Sequence, residues 1–533
     1  MAGDSSITRK LVILGGGTAG WLTAALLSRS LPACDWSITV VESPDIGIIG
    51  VGEGSFPTLR STLAGLCAGD PDCDERSFMR AARATFKQGV RFVGWAGAPL
   101  PGTGGDDYFH PFDLPQPGAD DRLMPFWLDS HVDPQRPSWS DALSAQERVI
   151  RAGKAPKRAG DPDFTGPFNY AYHFDAVALA AWLRERAAKH GVTRVEKTIG
   201  RVDLTEAGMI AALVPGDGSP AIAGDFFIDC SGLADQVRGK ALQSPYVPLD
   251  HMLFNDRAIA MQIPAPNEPI APYTLATAHD AGWIWDIALP DRRGTGCVYS
   301  SAHMSDDEAE ATIRRYAGTA GSSSSTRQLL FRTGYRSQQW IGNCAAVGLA
   351  AGFFEPLEST GIMLIEVAAH MLGALLNFRA GAEGLNTSLD ADVLAASARS
   401  FNRAMTARFA AIADFLKLHY CISQRRDTAY WRDNADPATW SETLRDRIAQ
   451  WRHRVPSRFD FVVDHETFLP PSWGYILNGM NFTTAAGQGA IAADRSGARA
   501  ALSAVAALRQ SAAQALAALP DHRSLIQHIH NQP

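Results

Sequence analysis

The chain has 533 residues, more than one ordinary domain holds, so two or three lobes sharing a core are expected. Forty-nine basic residues stand against 56 acidic ones, giving a net charge of -7 with no lysine or arginine block, which excludes nucleic acid and anionic membrane as main partners. A hydrophobic fraction of 46% is normal for a globular protein, and thirteen tryptophans point to large aromatic surfaces in the core or around a planar ligand.

The segment from Met1 to Lys10 is polar and runs straight into the first strand, so no signal peptide is expected. Leu11-Val12-Ile13-Leu14 reads as a short buried strand, and Gly15-Gly16-Gly17-Thr18-Ala19-Gly20 follows at G-x-G-x-x-G spacing, with a helix-like run from Trp21. Such glycines permit a tight turn, close backbone approach to a pyrophosphate and close packing of helix on strand. The helix start offers free N–H groups to phosphates. Ser37-Ile38-Thr39-Val40-Val41 reads as the second strand of the unit, and Glu42 falls about twenty residues past the last glycine, where it can take ribose hydroxyls. A Gly-rich turn in an ordinary α/β domain is the bland alternative; the flanking strands favour a dinucleotide site.

A second Gly-rich loop follows at Gly47–Gly54, then helices over Phe56–Leu66 and Asp74–Lys87, the latter with an acidic start, and an alternating strand over Gly89–Trp95. Residues 97–168 are rich in Pro, Gly and Asp but carry an aromatic cluster, which predicts an irregular insertion rather than a linker. A helix over His173–His190, a strand over Val192–Leu204 returning to the nucleotide sheet and a buried strand over Asp225–Gly232 come next. Residues 250–340 hold several strand-like runs that predict a mixed substrate-side sheet. Asn343–Ala350 is another buried strand and turn, and from Gly361 the chain is mostly helical. Gly361–Phe378 is the most apolar helix but contains Glu366 and His370 and is short for a membrane span. Seven scattered cysteines show no CxxC and no zinc spacing, which predicts a reducing, cytoplasmic setting without a disulfide framework or a metal centre.

Five stretches in register carry a family resemblance: Gly15-Gly16-Gly17-Thr18-Ala19-Gly20-Trp21, Val51-Gly52-Glu53, Ala84-Thr85-Phe86-Lys87, Gly282-Trp283-Ile284-Trp285-Asp286-Ile287 and Glu355-Pro356-Leu357-Glu358-Ser359-Thr360-Gly361-Ile362. The chain resembles the flavin-dependent halogenases of the tryptophan halogenase group, from the first strand to about residue 430 and more weakly to about residue 490. The resemblance implies an α/β architecture: a FAD-binding, Rossmann-like (GR2-type) and monooxygenase-like box over 1–380, carrying the 97–168 insertion and the 250–340 sheet, and a mostly helical portion over 381–533 that completes the substrate site. It implies FAD, delivered as FADH2 by a separate flavin reductase, on Gly15–Gly20 and Glu42, with Ile199, Leu349 and Ile362 lining it. Halide, chloride or bromide, is expected at Thr360 and Gly361. The family uses O2 and halide to make hypohalous acid, which crosses a tunnel to an aromatic substrate. There the resemblance places Lys87 and Glu358 as catalytic residues, with Ser359, His110 and Phe112 at the substrate. A homodimer is the family-level expectation.

The chemistry suits those residue types. Hypohalous acid is small and unselective, so it needs a fixed donor to aim and polarise it; a lysine can hydrogen-bond it or form a haloamine. A carboxylate beside it can orient that species and accept the proton lost from the ring. Trp283 and Trp285 match the family's W-x-W-x-I-P box except that Ala288 replaces its proline; they are read either as a screen keeping substrate off the flavin or as rings packing one face of a strand. Near the C-terminus, positions that clamp the amino-acid backbone in halogenases of free tryptophan fall on Asp464, His465, Pro471 and Tyr475. That mismatch points to indole or an indole derivative as substrate. A flavin-dependent aromatic monooxygenase and a non-catalytic flavoprotein are the alternatives.

Overall fold

A computed structural model describes residues 8–47, 50, 53–97, 105–115, 118–130, 136–377, 391–462 and 467–531. The expectations for Met1–Ile7, for Val51 and Gly52, and for Asp464 and His465 lie outside the described residues.

Six strands form the first sheet, in the order Trp340–Ile341, Cys344–Ala346, Phe226–Asp229, Arg9–Leu14, Trp36–Glu42, Thr193–Glu196. All pair in parallel except the edge strand Trp340–Ile341. Parallel strands are covered on both faces, which is why Leu11, Ile13 and Val40 are buried and the strand sequences read as continuous apolar runs. The helix Thr18–Ser30 follows the Gly-rich turn and packs against Ala176–Lys189 and Thr360–Leu376. Gly373 permits the second contact: a Cβ there would lie 2.6 Å from Ser30 Oγ.

The second sheet has seven strands: Thr326–Leu330, Arg257–Pro264, Arg292–Tyr299, Gly282–Ala288, Thr274–His279, Gly89–Val93 and Asp107–Pro111. Its pairs are antiparallel except Thr274–His279 with Gly89–Val93, so the expected mixed sheet is present. It borrows two strands from upstream of residue 112, and Asp107–Pro111 comes from the segment expected to be irregular. That segment also holds the helices Ala119–Asp129, Trp139–Leu143 and Gln146–Arg151. Its Pro- and Gly-rich turns hid short elements whose aromatics, Tyr108, Phe109 and Trp139, are buried.

A third, three-stranded sheet pairs Ala171–Phe174 with both Glu53–Gly54 and Thr85–Lys87. Here two expectations are corrected. The helix over Asp74–Lys87 spans only Glu75–Ala81: Asp74 and Ser77 form a capping box at its start, and Arg83 adopts φ 53°, which ends helical propagation. His173 belongs to a strand, and the helix begins at Ala176 with the Asp175 side chain accepting from Ala178 N–H. The single strand over Val192–Leu204 is two: Thr193–Glu196 in the parallel sheet, and Ile199–Leu204 paired with Ile210–Pro215 in a small sheet of its own.

The cysteine expectation is also corrected. Cys67 ends the helix Thr58–Cys67, the chain turns at once through Asp70, and Cys73 comes back to form a disulfide with Cys67. Sequence spacing gave no cue because the C-x5-C pair closes only through that turn. After residue 390 the described elements are helical, led by Ala391–Cys421, Glu442–Trp451, Pro470–Gly479, Arg495–Ala518 and His522–Asn531. Among the described residues no helix is long and apolar enough to cross a membrane.

Trp285 tests how tightly the second sheet is packed. It pairs with Gly296 across the strands, and a Cβ on Gly296 would fall 2.0 Å from its ring. Gly296→Ala is expected to destabilise the fold by roughly 1–3 kcal/mol. The reading is a lower denaturant midpoint at unchanged slope.

Candidate active site

Lys87 closes the strand Thr85–Lys87, where side chains alternate between faces. Phe86 faces the core and packs edge-on against Tyr170, with Tyr172 beside it. The hydroxyls of Tyr170 and Tyr172 donate to Glu75 Oε1 at 2.7 and 2.6 Å, and Lys157 donates to Glu75 Oε2. Glu75, 3% exposed, therefore ties the first residue of a helix to the strand behind the lysine. On the other sides, Phe86 N–H donates to His522 Nε2 at 3.2 Å, and Thr85 Oγ1 to the Ala288 carbonyl at 2.9 Å. The C-terminal helix thus reaches back to within one residue of Lys87.

The Lys87 side chain is fully buried. Its Nζ donates to Ser359 Oγ at 2.7 Å and to the Ser55 carbonyl at 3.3 Å, and lies 5.1 Å from the Phe112 ring centroid. Gly54 makes room for it: a Cβ there would sit 3.0 Å from Ser359 Oγ and 3.2 Å from Lys87 Nζ. Burial pulls the amine down to about 7, with the negative charge of Glu358 partly opposing. The same burial, with the charge of Lys87, keeps His173 neutral, its pKa far below the usual range.

Ser359 is placed by strain. It holds φ 57°, a left-handed conformation rare for a residue with a Cβ, as the N-cap of the helix Thr360–Leu376, and no side chain caps that helix start. Its hydroxyl is turned to the lysine instead. Glu358, 1% exposed, accepts at Oε1 from His419 Nε2 and is met by His110 Nδ1 at 3.0 Å from both oxygens. Burial opposes its ionisation, but the charge and hydrogen bond of His110 and the hydrogen bond of His419 outweigh it and hold the carboxyl at about 2.

Lys87 and Glu358 therefore feel each other's charge, while their hydrogen bonds go to different partners. A chain of aromatic contacts starts at the Phe112 ring beside Lys87. Phe112 packs against Phe56 at 6.0 Å, Phe56 against Phe468 at 5.8 Å, and Phe468 stacks on Phe415 at 3.8 Å. His110 touches Phe415, Phe468 and Tyr475, so the expected substrate ring His110 is also a partner of Glu358. Ser55, His419, Phe415 and Phe468 were not foreseen. Three of them sit in stretches that read as plain core or loop, and a histidine within an apolar helical run is ordinarily a satisfied core group.

The residues expected at the cofactor converge at the carboxyl ends of the parallel strands, where ligands of such sheets bind. Gly15, at φ 120°, lies so close to Cys230 that a Cβ would fall 2.2 Å from its carbonyl oxygen. The helix Thr18–Ser30 starts on Gly17 with no side-chain cap, and a Cβ on Gly17 would meet nothing within 4 Å. Thr18 Oγ1 is buried without a hydrogen-bond partner. Ala19 packs under the turn Gly348–Ala350, in which Leu349 stays 38% exposed despite being aliphatic. Gly20 abuts the Gly15 carbonyl, Ile199 heads its strand in the cluster of Leu14 and Val41, and Ile362 is buried in the first turn of its helix. Open amides, an orphaned hydroxyl and an uncovered leucine fit a dinucleotide phosphate and a flat ring. Glu42 is already engaged: Trp21 Nε1 donates to Oε2 at 3.0 Å, Arg194 donates to Oε1, and the carboxylate lies over Gly16. A carboxylate has about four acceptor sites, so room for ribose hydroxyls remains.

At the second helix start, Thr360 is buried, and a Cβ on Gly361 would meet nothing within 4 Å. Trp283 and Trp285 lie on one face of their strand, ring centroids 6.3 Å apart, and Trp283 Nε1 donates to Glu355 Oε2 at 2.8 Å. Of the clamp positions, Pro471 is the second residue of the helix Pro470–Gly479, and the buried Tyr475 hydroxyl donates to the Asp113 carbonyl at 3.2 Å.

The chain matches the family model described as tryptophan halogenase over residues 10–496. It is 34% identical over 532 residues to 7-chloro-L-tryptophan 6-halogenase KtzR of Kutzneria sp., covering 96% of this chain and 98% of the relative. A solved tryptophan halogenase from Shewanella frigidimarina superposes with TM-score 0.87 at 35% identity, with 98% of each chain covered. BrvH, a flavin-dependent halogenase from Brevundimonas sp., superposes with TM-score 0.82 at 34% identity, covering 98% of this chain and 100% of that one.

The depressed lysine has a consequence for stability. Between pH 7 and the ordinary lysine value of 10.5 the native state binds fewer protons than the unfolded chain, so stability falls as pH drops through that window. Lys87→Met removes the penalty. It is expected to exceed the wild type in stability at pH 6, with a margin on the order of a few kcal/mol that shrinks as pH rises to 10. Denaturant melts of both proteins at the two pH values check this.

Proposed function

The chain belongs to the tryptophan halogenase family and is a flavin-dependent halogenase; on that premise we propose that it halogenates an electron-rich indole-type ring, with Lys87 directing hypohalous acid. The observation that carries this reading is the buried lysine. It is held between Ser359 and Ser55 over Phe112, poised near neutrality, with the charge of Glu358 acting on it.

When bound, reduced FAD from a separate flavin reductase would activate O2, the oxidant that turns chloride or bromide into hypohalous acid. In this reading Gly15–Gly20 and the helix Thr18–Ser30 hold its pyrophosphate on backbone amides. The uncapped amides of Thr360 and Gly361 are the halide donors. At pH 7 Lys87 exists in both protonation forms, so it can either hydrogen-bond the oxidant or take up its halogen. The rings of Phe112, Phe56 and Phe468 keep water from it, which strengthens each polar contact inside. Glu358, held ionised, is the acceptor for the proton that the ring loses.

Indole, rather than free tryptophan, is favoured by two clamp positions. Pro471 has no side-chain acceptor for an ammonium group, and the Tyr475 hydroxyl is already donated to a backbone carbonyl. The halogenases named among the relatives act on tryptophan or chlorotryptophan, which makes the comparison between substrates decisive. With FADH2, O2 and bromide, kcat/KM for indole is expected to exceed that for tryptophan by at least about tenfold, a missing buried polar partner being worth that much or more. The opposite ranking, read by mass spectrometry of the products, sinks the indole reading.

Lys87→Ala separates halogenation from direct oxygenation. The variant is expected to lose bromoindole formation by roughly a hundredfold or more while reoxidising reduced flavin at the wild-type rate. Undiminished bromoindole would reject the role given to Lys87, and a hydroxylated product would favour an aromatic monooxygenase.

A further inference from the structure

His419 sits in the last turns of the helix Ala391–Cys421 and is fully buried. Its Nδ1 lies 2.9 Å from the Phe415 carbonyl oxygen and its Nε2 3.0 Å from Glu358 Oε1. A carbonyl oxygen only accepts, and so does an ionised carboxylate. A neutral imidazole has one N–H and cannot serve two acceptors. The pair must therefore hold one proton more than a carboxylate beside a neutral ring: either the imidazole is doubly protonated or the carboxyl is protonated toward Nε2. His110 does not supply that proton, because its Nδ1 approaches Glu358 separately, 3.0 Å from each oxygen.

We propose that Glu358 and His419 store one exchangeable proton, lend it to the oxygen that leaves hypohalous acid and recover it from the substrate ring carbon within the same turnover. The proposal rests on the halogenase reading above. In the first step a π electron pair of the ring forms the carbon–halogen bond while the oxygen–halogen bond breaks, its electron pair staying on oxygen. That oxygen takes the stored proton through the Glu358 carboxyl and leaves as water. A carboxylate and a neutral His419 remain. In the second step the ring C–H bond breaks, its electron pair restores the aromatic ring, and the proton returns to Glu358 and His419. Hypohalous acid and arene become halogenated arene and water, and the enzyme ends with the proton it began with. His419 touches no reacting atom; it is a positioning residue that acts through Glu358.

The surroundings suit a cation held on the imidazole. Glu358 faces it as counter-ion, and the rings of Phe92, Phe415 and Trp95, 5.0, 5.1 and 6.2 Å away, keep water from the pair. The ionisable groups facing the pair are His110, Lys87, Tyr108 and Glu355, the last feeling the charge of His419. Glu358 is held near 2 against its burial by His110 and His419, so its carboxyl is ionised at neutral pH. Lys87, with its pKa near 7, is only partly protonated at neutral pH, and a second proton source answers that deficit.

His419→Gln tests this. The glutamine amide can still donate to Glu358 but cannot carry a titratable proton. With FADH2, O2, bromide and indole, kcat is expected to fall roughly a hundredfold with KM little changed. A kinetic isotope effect with ring-deuterated indole, absent in the wild type, is expected to emerge because proton removal becomes limiting. A folded variant with wild-type kcat and no isotope effect overturns the proposal alone. A wild type that halogenates neither indole nor tryptophan overturns the reading beneath it. Should the variant not fold, neutron diffraction from deuterium-exchanged wild-type crystals decides: deuterium both on Nδ1 and between Nε2 and Glu358 supports the stored proton, and an empty Nε2–Glu358 contact refutes it.

Discussion

Keeping a lysine amine out of water is the constraint around which the centre of this protein is arranged. Desolvation of an ammonium is expensive, and it is tolerated only where polar partners are fixed in advance. Here the partners are a hydroxyl and a backbone carbonyl, and each is delivered by an unusual piece of backbone. Ser359 reaches Lys87 only because it adopts a left-handed conformation, and Ser55 approaches because Gly54 beside it carries no Cβ. Behind the lysine, the hub formed by Glu75, Lys157, Tyr170 and Tyr172 and the ring of His522 hold its three-residue strand from two sides. So short a strand would not keep its place through its own ladder.

Glu358, Ser359, Thr360 and Gly361 are consecutive and serve two different surroundings. The side chains of the first two belong to the lysine pocket, while the last two begin a helix whose amides no side chain caps. The Gly-rich turn lies at the ends of the parallel strands, beside a second helix start left uncapped in the same way. A helix packed directly on the nucleotide helix therefore carries at its first turn both an open amide site and the two polar side chains of the other pocket. The two sites therefore cannot move independently.

Much of this was legible in the residues. The strand, turn and helix around Gly15–Gly20 follow from four aliphatic residues and glycine spacing, because those effects are local. The mixed sheet followed from alternating runs over 250–340, although its two upstream strands did not. The helix expected over Asp74–Lys87 ended at Ala81 since Arg83 leaves helical space, and propensity carries no warning of that. The disulfide between Cys67 and Cys73, and the ordered strand and helices within 97–168, depend on turns that bring distant or awkwardly spaced residues together.

By itself, then, the sequence determined the strand, turn and helix around Gly15–Gly20, the α/β class and, through five motifs in register, the family, and it singled out Lys87 and Glu358 as candidates. The tertiary structure alone decided the electrostatics of those two residues. A lysine's pKa depends on how completely the chain around it excludes water, and a carboxylate's on which donors face it. Those donors, His110 and His419, are separated from Glu358 by 248 and 61 residues. No local pattern records such distances, so neither the depressed amine nor the contact of Glu358 with His419 could be read before the fold brought them together.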